Sequence, residues 1–290
     1  MKKITAFIIF SIILGSCVQQ NTQDGKEGVN TVPQTEEVAV QPEDTKNEQI
    51  QKGYDDTKLN EPEATDAVER QEVILSDYEV NSKNWGIDPI GDVNDEIVLL
   101  TIDDAPEKYS LEMAQTLKDL GVNAIFFVNG HFINTEAEKE NLKKIYDMGF
   151  VIGNHTMTHA NLSNLTKEEL RKEIINLNDL VEEVTGERPT FFRAPYGVNT
   201  DYSKALALEE GMQVMNWTYG YDWEKEYLTK DALVDIMVNT PLLKNGANLL
   251  MHDRAWTNEA LHDIVQGLQS KGFDMVDPNR IQTPNNNTVN

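Results

Sequence analysis

From residue 84 to residue 278, apolar β-rich runs alternate with amphipathic helical stretches, and this alternation constrains the fold more than any other feature. The strand-like runs are EIVLLTI from Glu96, AIFFV from Ala124, FVIGNH from Phe150, TFFRAP from Thr190, MQVMNW from Met212, ANLLMH from Ala247 and FDMVD from Phe273. Helical spacing separates them. In LEMAQTLKDLG the apolar positions are Leu111, Ala114, Leu117 and Leu120, with Gly121 as a stop. The longest helix opens on Thr166 with Glu169 three residues on, a capping-box pattern. Strand–helix alternation means parallel strands joined by right-handed crossovers. About seven or eight such strands fit either a barrel or a doubly wound sheet. In both, functional groups gather at the C-terminal ends of the strands.

The rest of the chain reads differently. MKK is a positive start, ITAFIIFSIILGS is an apolar run too short for a stable membrane span, and Cys17 follows. Small residues before a cysteine resemble a bacterial lipobox, so residues 1–17 are expected to be a lipoprotein signal and Cys17 its lipidated residue. Cys17 is the chain's one cysteine, which excludes internal disulfides and cysteine zinc sites. Residues 18–83 are rich in Gln, Glu, Asp, Thr, Asn and Pro and show no sustained apolar period. They are expected to form a disordered acidic tether, with a flexible tail at 279–290. Net charge is −24, so nucleic acid is excluded as a partner for want of clustered Lys and Arg.

A census of polar groups just after each strand is not random. It gives Asp103 and Asp104; His155 and His159; Arg193 and Tyr196; Asp222; and His252 with Asp253. Three of the five histidines belong to it; His131 is a weaker addition and His262 falls in a helix. In HTMTH the two imidazoles are four residues apart, a spacing that shares a face on a helical turn. With one carboxylate they would make a two-histidine, one-carboxylate metal site, suited to zinc hydrolysis or to non-haem iron.

TIDDAP, HTMTH, RAPY, DW and LLMHD, in that order, resemble the five motifs of the polysaccharide deacetylases of carbohydrate esterase family 4, the NodB homology domain. The resemblance covers the folded region and implies a distorted (β/α) barrel. It implies one divalent ion, zinc or else cobalt, nickel or manganese, on Asp104, His155 and His159. Asp103 is implied as the base, His252 as the acid, Arg193 as the partner of the base and Asp222 as the partner of the acid. Tyr196 is expected to give a backbone N–H to the oxyanion, and Trp223 and Leu250 to line the acetyl pocket. The implied activity is hydrolytic N-deacetylation of cell-wall polysaccharide, N-acetylglucosamine of peptidoglycan first, by a monomer anchored on the extracellular face of the membrane. The chemistry is coherent: amide hydrolysis needs an activated water, a stabilised oxyanion and a proton for the leaving nitrogen.

Three positions depart from the family pattern, the first being Ile102 in place of phenylalanine, a change of packing alone. Ala105 stands where glycine is usual, which would matter if that residue needs positive φ or faces the groove. Tyr219 stands where a further aspartate is usual. A catalytically weak glycan-binding member is therefore a competing expectation. An iron oxygenase is disfavoured by RAPY and LLMHD.

Overall fold

The structure, a computed structural model, describes residues 76–286. The expected leader with Cys17, the expected tether up to residue 75 and the last four residues of the expected tail lie outside the described residues.

Nine strands and six helices follow one another along the described chain. A hairpin, β1 (Tyr78–Val80) with β2 (Ile87–Pro89), comes first. Then come β3 (Ile97–Ala105), α1 (Ser110–Asp119), β4 (Ile125–Val128), α2 (Glu136–Asp147), β5 (Val151–Asn154) and α3 (Lys167–Thr185). They are followed by β6 (Phe191–Phe192), α4 (Asp201–Glu209), β7 (Gln213–Val214), α5 (Lys230–Asn239), β8 (Ala247–His252), α6 (Ala255–Ser270) and β9 (Asp274–Met275).

Seven of these strands form one parallel sheet in the order β7-β6-β5-β4-β3-β8, with β9 beside the start of β3. The sheet curls until its two edges meet. Past β7, Tyr219 bridges Leu249 of β8, and the Leu250 N–H donates to the Tyr219 carbonyl at 2.8 Å. Closure through so short a contact makes the barrel distorted. β6 and β7 are two residues each, shorter than TFFRAP and MQVMNW suggest. Pro195 cannot donate to a ladder, and the chain leaves the sheet at Arg193 to build the cleft.

β3 is buried along its whole length, as expected of a central parallel strand covered on both faces. Val98, Leu100 and Ile102 pack outward under the helices, while Ile97 and Leu99 point inward with Ile125, Phe127, Phe191 and Met215. The capping box expected at Thr166 and Glu169 opens α3, and a left-handed Gly186 ends it.

The folded region begins before residue 84 and extends past 279, which corrects both expected boundaries. Tyr78 and Ile87 of the hairpin and Ile281 near the C-terminus join the inner core, and the Gln282 N–H donates to the Tyr78 carbonyl at 2.7 Å. A three-residue strand is too short to show a period, so its neighbours in sequence hid it. Among the described residues, no helix is long and apolar enough to cross a membrane.

Candidate active site

Successive side chains of a strand point to opposite faces, so adjacent aspartates should not both reach one cleft. The backbone resolves this. The register of β3 on β4 breaks between Ile102 and Ala105, and Asp104 adopts a left-handed φ of 61° at the break. Asp103 keeps the inward alternation of Ile97, Leu99 and Thr101, and Asp104 is turned to join it. Among the described residues, five non-glycine residues have positive φ, and four of them are Asp104, Thr156, His159 and Tyr196. Such conformations persist only where surrounding contacts enforce them, and here they cluster on the site.

The departure at Ala105 therefore has a different meaning from the one expected. Ala105 is not among the positive-φ residues, and it is buried in the outer core. It neither strains the turn nor crowds the cleft. Tyr219 is also in the core, its hydroxyl donating to the Met237 carbonyl at 2.8 Å.

HTMTH is not a helical turn, contrary to the reading of its spacing. It is a loop leaving β5, with φ of 72° at Thr156 and 57° at His159. α3 straps it down: the Met157 N–H donates to the Glu173 carbonyl, and Thr158 donates its N–H and hydroxyl to the Glu173 carboxylate. This loop brings the two imidazoles to a centroid separation of 5.0 Å. His155 Nδ1 lies 2.7 Å from the Arg193 carbonyl, which can only accept, so Nδ1 is the donor and Nε2 is the nitrogen turned to the site. Burial, with the neighbouring His155, holds His159 below the usual imidazole range, in the neutral form that ligates metals.

Asp104, His155 and His159 each offer a ligand atom within 4.8 Å of the others. Asp104 Oδ1 stands 3.5 Å from His159 Nε2. Two imidazoles and a carboxylate fit a divalent ion of the zinc type. His131 is outside this group; its exposed ring lies against Phe132. His262 is exposed on α6 beside Asp263.

Asp103 has a different partner. Arg193, fully buried, donates from Nη1 to Asp103 Oδ1 at 2.7 Å and to the Thr101 hydroxyl at 2.8 Å. Its other terminal nitrogen donates to the Asn216 carbonyl, and its guanidinium lies 4.3 Å from the Phe127 ring centre. Burial pulls the guanidinium below its ordinary value, and Asp103 opposes that.

Asp103 is aligned with His252 in the β3–β8 register, so opposite walls of the cleft come from neighbouring strands. His252 Nδ1 donates to Asp222 Oδ1 at 2.7 Å. Asp222 is buried and also accepts from the His252 N–H and the Thr257 hydroxyl. Burial alone would lower the pKa of His252, but Asp222, with Asp103 and Asp104, holds it above the ordinary imidazole value.

Asp103, Asp104, His155, His159, Asp222 and His252 face one cleft of about 590 Å³, whose apolar wall is Trp217, Trp223, Leu228, Leu250 and Trp256. The Trp223 ring meets His252 edge-on, centroids 5.4 Å apart. Tyr196 stands at the rim, its ring 4.8 Å from His159. Sequence reasoning missed Trp217, Trp256, Arg254 and the role of Gly220, where a Cβ would lie 2.4 Å from the Leu250 carbonyl oxygen. The glycine in YGYDW was the available signal.

Asp253 holds the frame. Its carboxylate accepts from the N–H groups of Lys108, Tyr109 and Ser110 and from the Ser110 hydroxyl, at 2.6–2.9 Å. This ties the loop after Asp104 to the end of β8. Asp253→Ala should lower the free energy of unfolding by about 2–3 kcal/mol, since buried donors lose a charged acceptor. Urea denaturation measures it, and a loss under 0.5 kcal/mol would show that the clamp holds nothing.

A family model described as polysaccharide deacetylase matches residues 90–215. A peptidoglycan-N-acetylglucosamine deacetylase of Bacillus cereus is 30% identical over 203 residues, spanning 67% of this chain and 71% of that protein. The peptidoglycan-N-acetylmuramic acid deacetylase PdaA of Bacillus subtilis is 27% identical, spanning 81% of this chain and 86% of that one. Among solved structures, a family 4 pseudoenzyme from Bacillus anthracis aligns with a TM-score of 0.57 at 29% identity, over 63% of each chain.

Proposed function

Since this chain belongs to the polysaccharide deacetylase family, hydrolases acting on carbon–nitrogen bonds other than peptide bonds, we propose that it removes N-acetyl groups from cell-wall glycan with a divalent ion, zinc first. N-acetylglucosamine of peptidoglycan is the proposed substrate. The observation carrying this reading is the division of labour in the cleft. Asp104, His155 and His159 offer the ion site, while Asp103, bonded through Oδ1 to Arg193, stands beside it with Oδ2 3.5 Å from His155 Nε2 and faces His252 across the β3–β8 register.

A bound ion would activate water and polarise the acetyl carbonyl. Asp103 takes the proton of the attacking water, its carboxylate oriented by Arg193. His252 gives a proton to the leaving nitrogen, kept in its imidazolium form by Asp222. The Tyr196 N–H is the proposed oxyanion donor. Trp223 and Leu250 enclose the acetyl methyl and exclude water from it. Anchoring through Cys17 on the outer face of the membrane, supported by the leader sequence, completes the proposal.

The competing reading, a glycan binder without turnover, draws on the likeness to the pseudoenzyme. Against it stand both intact pairs, Asp103 with Arg193 and His252 with Asp222. Mass spectrometry of peptidoglycan fragments after incubation with zinc-loaded protein decides. Acetyl loss from glucosamine is expected. Loss from muramic acid instead would overturn the substrate, and intact fragments would favour the binder.

The Asp222–His252 pair sets a pH dependence. Asp222 raises the value of His252, so protonated acid persists to higher pH. Asp222→Asn should move the basic limb of the pH–rate profile to lower pH; an unmoved limb would remove His252 as the acid.

A further inference from the structure

Arg254 follows LLMHD and carries no role in the reading above, yet it touches the ion site. Its Nη2 donates to Asp104 Oδ2 at 2.7 Å. Its Nη1 donates to Glu107 Oε2 at 2.7 Å and to the Asp253 carbonyl at 2.9 Å. The side chain is one third exposed and lines the cleft. One guanidinium, on the residue that caps the start of α6, thus bridges a carboxylate at the end of β3 and one in the β3–α1 loop. We propose that Arg254 is a positioning residue for the metal: it occupies Asp104 Oδ2 and so reserves Oδ1 for the ion beside His155 and His159. This rests on the metal-dependent reading.

Two effects oppose each other at such a contact. A cation beside a ligand carboxylate repels the ion, which would weaken binding. A hydrogen bond to the second oxygen fixes the ligand's orientation, which strengthens binding. Glu107 decides between them. It places a negative charge on the other side of the guanidinium at the same distance, so the repulsion is largely offset. Orientation is left as the larger effect. It is needed here because Asp104 sits in a left-handed conformation at a register break, where no regular strand neighbour fixes its side chain. Lysine cannot substitute fully, since a single ammonium lacks the planar fork that spans both carboxylates.

The test is a competition titration of zinc between a chromophoric chelator and the full chain, with the visible spectrum of the cobalt-loaded protein beside it. Arg254→Met should bind zinc roughly 10- to 100-fold more weakly, the range for loss of a group that orients a metal ligand. The cobalt spectrum should change as Asp104 gains freedom to ligate through both oxygens. Arg254→Lys should recover part of the loss. Zinc affinity within twofold of the native protein, or tighter, with an unchanged cobalt spectrum, would overturn the proposal. If Arg254→Met does not fold, Arg254→Gln takes its place. It removes the guanidinium fork on Asp104 Oδ2 and should also weaken zinc, and unchanged affinity would overturn the proposal. Native protein that binds no zinc would sink the metal reading itself. Native binding with unaffected variants sinks the role of Arg254 alone.

Discussion

Asparagine in place of Asp103 will leave zinc affinity within a few-fold of the native protein and cut acetate release by roughly 10²–10⁴-fold, the usual contribution of a positioned base. Asparagine keeps an oxygen to accept from Arg193 Nη1, now at 2.7 Å on Asp103 Oδ1, so the floor of the cleft is preserved. What is lost is the capacity to take a proton. The candidate ion site is spared because the atoms it offers belong to Asp104, His155 and His159. Acetate release and zinc titration on the same preparation separate the two functions. Retained turnover would remove Asp103 as the base, and lost zinc would mean that it is a ligand.

Methionine in place of Arg193 carries the largest expected cost in stability. Arg193 is fully buried, and the Asp103 side chain is 3% exposed. Breaking a buried pair by removing one partner leaves a charge with neither water nor a counter-ion, typically at a cost of about 3–5 kcal/mol. The Thr101 hydroxyl and the Asn216 carbonyl lose a partner as well. Replacing both members, Arg193→Met with Asp103→Leu, should recover much of the loss, because no lone charge remains. Chemical denaturation of the three proteins gives the answer. A cost below 1 kcal/mol for the single change would mean that water reaches the pair.

Much of this was legible in the residues. Parallel strands buried on both faces leave continuous apolar runs, so EIVLLTI and ANLLMH announced a sheet, and the strand-end rule gathered Asp103, Asp104, His155, His159, Arg193, Asp222 and His252 in one place. What was hidden belongs to backbone geometry. Nothing in DDAP shows that Asp104 turns left-handed to join its neighbour. Nothing in HTMTH shows that a strapped loop, not a helix, brings the rings together. Ala105 and Tyr219 looked like departures in the cleft because sequence gives position but not direction, and both face the core. Tyr78 and Ile281 pack together from opposite ends of the described chain, a pairing that no local pattern records. Asp253 and Arg254 sit next to a motif histidine, yet their roles come from partners about 145–150 residues away.

The most direct test of a metal-dependent deacetylase is acetate release from peptidoglycan by chelator-stripped protein as zinc is added back. Release should be absent from the stripped protein, rise with zinc and saturate at one ion per chain. Release that persists after stripping, or none at any zinc level while zinc is bound, would contradict it.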